Sequence, residues 1–290
     1  MSEALPLRSR AEAATAQLGP LLARAEQLAM AVMPGGHGRR RSGAGDDFWQ
    51  YRSVQAGDTM RMIDWRRSAR SDAQFVRQKE WQISQTVHFW VDRAQSMQFA
   101  SAKGLPQKMD RAQLVALAMA ILLSRGGERI GLAGEDLPAR AGNTQLRRFG
   151  EMLVTPKPDD FGAPDMRGVG KNGFAIFVSD FLGDIEPVER AIQEAASSGI
   201  RGVCLQVLDP VEESFPFRGR AIFESVGGTL AHETLQAADL AERYKAKLET
   251  RKRRLSLVSR RCGWFFQTHH TTESAQVAVM WLYNMIEGPR

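Results

Sequence analysis

Residues Thr86 to Met97 read TVHFWVDRAQSM. The first seven form a short, mainly apolar run that ends at Asp92, after which the chain turns polar. A run of this length without strict alternation suits a strand buried on both faces. The question is what a carboxylate does at the end of such a strand.

Two more stretches repeat the pattern. Phe174 to Asp180 (FAIFVSD) and Gly202 to Asp209 (GVCLQVLD) are apolar runs closed by an acid. Helix-like segments alternate with them: Arg111 to Ser124, closed by Arg125-Gly126-Gly127, then Thr144 to Leu153, Ile185 to Ser197, Leu240 to Arg261 and Ser274 to Ile286. Arg129 to Ala133 and Leu137 to Arg140 read as two short strands around Gly134-Glu135-Asp136, and Gly263 to Thr268 as one more. Buried strands alternating with helices predict a mostly parallel sheet covered on both faces. The right-handed crossover rule favours a doubly wound α/β domain over residues 85–290. With the hairpin in second and third place, the order 3-2-1-4-5-6 makes Thr86–Asp92 and Phe174–Asp180 neighbours, roughly 4.8 Å apart. Asp92 and Asp180 then converge on one crevice beyond the strand ends, where such sheets bind ligands.

Upstream, residues 1–34 read as a helical segment in which Pro20 is expected to start or break a helix. Pro34 to Gly45 (PGGHGRRRSGAG) reads as an exposed linker opening an Arg/Trp-rich extension over residues 35–84. The extension resists a clean helix or strand assignment. Its densest stretch is Ala56 to Arg70, AGDTMRMIDWRRSAR, with two roles to fill. In a structural clamp, Asp58 and Asp64 accept hydrogen bonds from Arg61, Arg67 or Arg70, while Met62, Ile63 and Trp65 anchor the segment. In a partner anchor, Trp65 with Arg66, Arg67 and Arg70 stays free, since Trp and Arg dominate interface hot spots. The expected assignment is Asp58, Arg61 and Asp64 to the clamp, and Trp65, Arg66, Arg67 and Arg70 to the partner.

Composition narrows the classes. The 290-residue chain is 43% hydrophobic, enough for a real core. Its net charge of +6 is local: Arg243 to Arg261 holds nine basic residues and one acid. A solvated helical face is the ordinary explanation. Nucleic-acid binding through this helix and Arg39-Arg40-Arg41 is the rival. No uncharged apolar run approaches the roughly 18 residues of a membrane span, and the N-terminus lacks a signal-peptide core, so a cytoplasmic location is expected. Cys204 and Cys262 read as buried free thiols. Gly168-x-Gly170-x-x-Gly173 precedes a strand instead of following one, so it lacks the dinucleotide-binding context. His269-His270 read as surface or capping histidines and His88 as a satisfied core residue. No nucleophile has an evident activating base, so catalysis is not expected. A metal-dependent hydrolase using Asp92 and Asp180 is the remaining enzymatic class, and it lacks a general base.

The loop Asp92-Arg93-Ala94-Gln95-Ser96-Met97 resembles the Asp-x-Ser-x-Ser loop of von Willebrand factor A domains. In that family the loop, a threonine from a second loop and an aspartate from the fourth strand hold Mg²⁺, and a partner's carboxylate completes the octahedron. The resemblance implies Asp92, Ser96, Asp180 and, more loosely, Thr144 as metal-site residues; Ala94 stands where a ligand serine is expected. A longer set resembles the bacterial domain-of-unknown-function 58 family: Gly45, Asp47-Phe48, Arg52, Gly57-Asp58, Arg61, Ile63-Asp64-Trp65, Ser68-Ala69-Arg70, Glu80, Asp92, Ser96-Met97, Ser179-Asp180-Phe181, Asp209-Pro210, Glu212 and Thr271-Thr272. That family is similar to von Willebrand factor A proteins, and its genes commonly neighbour a MoxR-type AAA+ ATPase. The resemblance implies a non-catalytic adaptor or cofactor of such an ATPase, acting on a client protein.

Overall fold

In the computed structural model the chain divides into two units, Met1–Met33 with Gln85–Arg290, and Pro34–Ser84. The structure describes residues 7–32, 42–55, 58–70, 73–80, 84–219, 221–224, 231–234 and 237–287. In chain order the elements are α1 (Leu7–Val32), β1 (Ser42–Ser53), α2 (Trp65–Ser68), β2 (Phe75–Glu80), β3 (Thr86–Val91), α3 (Lys108–Arg125), β4 (Arg129–Leu132), β5 (Leu137–Arg140), α4 (Asn143–Leu153), β6 (Phe174–Ser179), α5 (Ile185–Ser197), β7 (Arg201–Leu208), α6 (Pro210–Ser214), β8 (Ala221–Glu224), β9 (Ala231–Thr234), α7 (Ala237–Arg261), β10 (Phe265–His270) and α8 (Ala275–Glu287).

The larger unit is built on a six-stranded sheet of order β10-β7-β6-β3-β4-β5. Numbering those strands by their sequence order gives 3-2-1-4-5-6 read from β5. All neighbours are parallel except β4 and β5, which form the antiparallel edge. β3 and β6 lie side by side, with Val91 opposite Val178, so both open onto the same edge of the sheet. The reversal of strand order falls between them, where a doubly wound fold leaves its crevice.

Alternation along the strands sorts side chains onto two faces. Val87, Phe89 and Val91 of β3, with Ile176 and Val178 of β6, join a core with α1, α3, α4 and α8. Trp90, Ala175, Phe177 and Cys204 join a second core with α5, α7 and Trp264. Aromatic pairs pack on each face of the sheet: Phe89 with Phe149 of α4, and Phe177 with Trp264 in the turn between α7 and β10, both with ring centroids 5.0 Å apart in edge-to-face geometry. Helix α3 is buried on nearly every side from Ala112 to Leu123, as a helix that is apolar all round must be.

Two details differ from the sequence reading. Pro20 neither starts nor breaks a helix but lies inside α1. Leu21, Ala25, Ala29 and Val32 of that helix are buried at helical spacing against α3, α4 and α8, and this packing outweighs the lost backbone hydrogen bond. The short hairpin β8–β9, absent from the sequence reading, follows α6. Among the described residues no helix is long and apolar enough to cross a membrane.

The smaller unit pairs β1 with β2 antiparallel, with register shifts around Phe48. Ile63 bridges to Val76, and α2 follows as a single helical turn capped by Asp64.

Candidate functional site

Asp92 stands immediately after β3 and is 2% exposed. Its Oδ2 accepts the Ser179 hydroxyl at 2.7 Å, and its Oδ1 accepts the Ala94 amide at 3.0 Å. The Gly162 amide is a third donor. Burial and then the charge of Asp180 push this carboxyl above the usual carboxylate range, against the pull of those three donors. The segment from Lys157 to Gly162 is strapped over the Asp92 loop: Lys157 N donates to Arg93 O, Gln95 N to Asp159 O and Ser96 N to Asp160 O, each at 2.9 Å. Gly162 has no room for a side chain, because a Cβ there would stand 2.2 Å from Asp92 Oδ1. Beneath the strap lies a cavity of about 60 Å³ lined by residues including Arg93, Ala94, Glu135 and Lys157.

Asp180, immediately after β6, is 1% exposed. Its Oδ1 accepts the Leu182 amide at 3.0 Å. Its Oδ2 takes an ion pair from Lys108 Nζ at 2.8 Å, and the same ammonium reaches Glu212 Oε1 at 2.5 Å. Lys108 begins α3 and is itself 1% exposed, with the Phe99 ring 5.7 Å from its Nζ. Burial works against its charge, but Asp180 and Glu212 outweigh that and hold the ammonium above its ordinary value. Burial raises the Glu212 carboxyl, while Lys108 pulls it back.

The placement of Glu212 comes from a local sequence device. Asp209 caps α6 by accepting the Val211 amide at 2.9 Å, and the Glu212 side chain reaches back to the Asp209 amide at 2.9 Å, a capping box with Pro210 in the first turn. The other Asp209 oxygen accepts the Ser101 amide at 2.9 Å, tying α6 to the loop that precedes α3. The Asp209-Pro210-x-Glu212 stretch therefore aims a carboxylate at Lys108.

The structure places Asp92, Ser96 and Asp180 at one edge of the sheet. Thr144 does not join them: it is exposed in the first turn of α4 and makes no hydrogen bond to any of the three. Arg93 does not pair with the acids either, but with Glu135, and donates to the Thr155 carbonyl at 3.2 Å. Ser96 Oγ is buried without a hydrogen-bond partner among the described residues, a feature a cation would suit. The rest of the set does not fit one. Asp180 is already paired with an internal ammonium, Ala94 offers no oxygen, and the described residues hold no group of three or more His, Cys, Asp or Glu able to bind a metal. Lys108 was missed in the sequence reading, which began this helix at Arg111.

In the extension, Asp64 caps α2. Its Oδ1 accepts the Arg67 amide at 3.0 Å, its Oδ2 accepts the Tyr51 hydroxyl at 3.2 Å, and its carbonyl accepts the Ser68 hydroxyl at 2.8 Å. Asp58 Oδ2 accepts the Gln55 amide at 2.8 Å. Backbone amides and a tyrosine are thus among the groups that serve these two acids. The Arg67 guanidinium lies 5.6 Å and 5.7 Å from the Tyr51 and Phe75 ring centroids. Trp65, assigned to the partner, is 52% exposed, and Met62, an anchor in the clamp reading, is 49% exposed. Arg61, Arg66 and Arg70 are exposed as well. Gly57 and the Arg39-Arg40-Arg41 run lie outside the described residues.

Part of the basic charge of α7 is paired within the fold. Arg254 forms a two-pronged pair with Glu189 at 2.6 and 2.7 Å, Arg253 pairs with Glu249 at 2.9 Å, Lys252 pairs with Glu213, and Arg251 donates to the Phe181 carbonyl at 2.8 Å. His269 is buried, not at the surface: its Nδ1 meets Glu273 at 2.9 Å and its Nε2 meets Arg111 at 3.1 Å. Burial and then the Arg111 charge lower it to about 4. His88 is buried too, but its Nε2 has no hydrogen-bond partner among the described residues, contrary to the satisfied core residue expected. Cys204 is fully buried, and burial pushes its thiol up to about 12; Cys262 is partly buried.

Comparison with known proteins places these residues in a family. The profile described as "Protein of unknown function DUF58" matches residues 50–254. The chain is 30% identical over 217 residues to the uncharacterized protein Rv1480 of Mycobacterium tuberculosis and, to the same extent, to the uncharacterized protein Mb1516 of Mycobacterium bovis, covering 70% of this chain and 67% of each relative. Among solved structures it is similar to the conserved hypothetical protein BatB from Bacteroides thetaiotaomicron, at 16% identity and a TM-score of 0.41, covering 70% of this chain and 99% of that one. It is also similar to an aerotolerance-related membrane protein from Bacteroides fragilis, at 16% identity and a TM-score of 0.37, covering 69% of this chain and 97% of that one.

Proposed function

The chain belongs to the DUF58 family, and from that premise we propose that it is a non-catalytic protein-binding module, an adaptor or cofactor of a MoxR-type AAA+ ATPase acting on a client protein in the cytoplasm. The observation that carries the reading is Trp65, 52% exposed on a helical turn that also presents exposed Arg66. That turn is held in place by the Asp64 cap and by Ser68, whose hydroxyl oxygen accepts the Phe75 amide at 2.9 Å. A large aromatic beside an arginine on a pre-ordered turn contributes strongly to binding, because little conformational freedom is lost on docking. The surplus positive charge selects an acidic partner surface.

The carboxyl edge of the sheet supports the same reading. Both oxygens of Asp92 and both oxygens of Asp180 accept hydrogen bonds from protein donors, so these acids act as structural members. The internal pairing of α7 weighs against the nucleic-acid alternative.

Co-elution tests the proposal. Purified wild type mixed with a purified MoxR-type ATPase is expected to run as one complex on size exclusion, and the Trp65→Ala/Arg66→Ala protein as two separate species. Failure of the wild type to bind, together with nucleic-acid binding that weakens steeply with salt, would replace this reading with its rival.

A further inference from the structure

We infer that the Lys108 ammonium is a built-in substitute for the divalent cation that the Asp92 loop suggests, so that this edge of the sheet carries its positive charge permanently and takes up no Mg²⁺. The inference rests on the oxygens present and stands independently of the docking reading.

Magnesium demands about six oxygens in near-ideal octahedral geometry. The edge offers Asp92, Asp180 and Ser96. Four of their five side-chain oxygens already accept a bond from the protein: Asp92 Oδ1 from the Ala94 amide, Asp92 Oδ2 from the Ser179 hydroxyl, Asp180 Oδ1 from the Leu182 amide and, decisively, Asp180 Oδ2 from the Lys108 ammonium. Ser179 is engaged as well: its oxygen accepts the Phe181 amide at 2.9 Å while its hydrogen goes to Asp92. Ser96 Oγ alone among the five makes no hydrogen bond with the described residues. A metal would have to displace an ammonium that is 1% exposed and bonded to two carboxylates.

The ammonium and its two acids are fixed by separate local contacts. The Lys108 amide donates to the Phe99 carbonyl at 3.1 Å, which fixes the start of α3. The capping box fixes Glu212 from the opposite side, and Gln206 Nε2 donates to the Asp180 carbonyl at 2.8 Å. Lysine offers three N–H donors, and two of them meet acids placed by separate elements, β6 and α6.

The test is a titration of the purified full chain with Mn²⁺, an EPR-visible replacement for Mg²⁺, alongside thermal unfolding. Wild type is expected to leave the free Mn²⁺ signal undiminished and to melt at the same temperature in Mg²⁺ and in EDTA. The charge-balanced variant Lys108→Met/Glu212→Gln removes the ammonium together with one acid and keeps Asp92, Asp180 and Ser96. It is expected to bind Mn²⁺ about tenfold more tightly than wild type or better, and to lose that gain when Asp180→Asn is added. Stoichiometric Mn²⁺ binding by wild type would overturn the inference, as would a folded double variant that binds no more than wild type. If the variant does not fold, the wild-type titration decides.

Discussion

Lys108 and Asp180 lie 72 residues apart in the chain and meet at 2.8 Å with both side chains 1% exposed. A charge buried so fully survives only because its partner is equally buried and well aligned. The pair, with Glu212, joins the start of α3 to the end of β6 and to α6.

Lys108→Ala is therefore expected to leave two buried carboxylates without their cation and to cost about 3–5 kcal/mol. Urea denaturation of the variant against wild type measures this. A cost below about 0.5 kcal/mol, typical of a surface change, would mean the pair is not enclosed.

Gly162→Ala adds a methyl group 2.2 Å from Asp92 Oδ1, an oxygen that cannot retreat because the carboxylate is held on both sides. The expected loss is about 1–3 kcal/mol, as for other overpacked sites. Faster hydrogen exchange should appear at Gln95 and Ser96, whose amides are bonded to the strap.

Acid should weaken the fold through His269. Burial and Arg111 lower its folded value from 6.5 to about 4, so the unfolded chain takes up a proton first as the pH falls. The stability it confers is fully present above pH 6.5 and is lost between there and about pH 4. The loss is on the order of 3 kcal/mol. The Glu273 carboxyl, also lowered, acts in the same sense. Denaturation midpoints of wild type and His269→Gln across that range should converge as the pH drops; parallel curves would contradict the assignment.

Trp65→Ala is expected to change stability by less than about 0.5 kcal/mol, since half the ring is already in solvent. Thermal melting checks this, and it separates a binding role from a folding one.

The sheet was legible because β3, β6 and β7 are mainly apolar runs closed by an acid, and their order followed from the family resemblance and the crossover rule. Asp92 and Asp180 followed from strand ends alone. Lys108 did not, because it stands one turn ahead of the apolar run that marks α3, and its partners are 72 and 104 residues away. Asp209-Pro210 and Glu212 entered the sequence analysis only through the family resemblance; their capping box and its target at Lys108 emerge from the structure. The extension stayed unreadable for a different reason: register shifts around Phe48 break the alternation that identifies a strand. Pro20 misled because packing of α1 on three helices overrode a local preference.

The most direct measurement is the affinity of an immobilised MoxR-type ATPase for this protein, by biolayer interferometry in constant Mg²⁺ and ATP, with wild type and Trp65→Ala compared. The account predicts saturable binding by wild type and a loss of about tenfold or more in the variant. Equal binding by both proteins, or none by wild type, would contradict it.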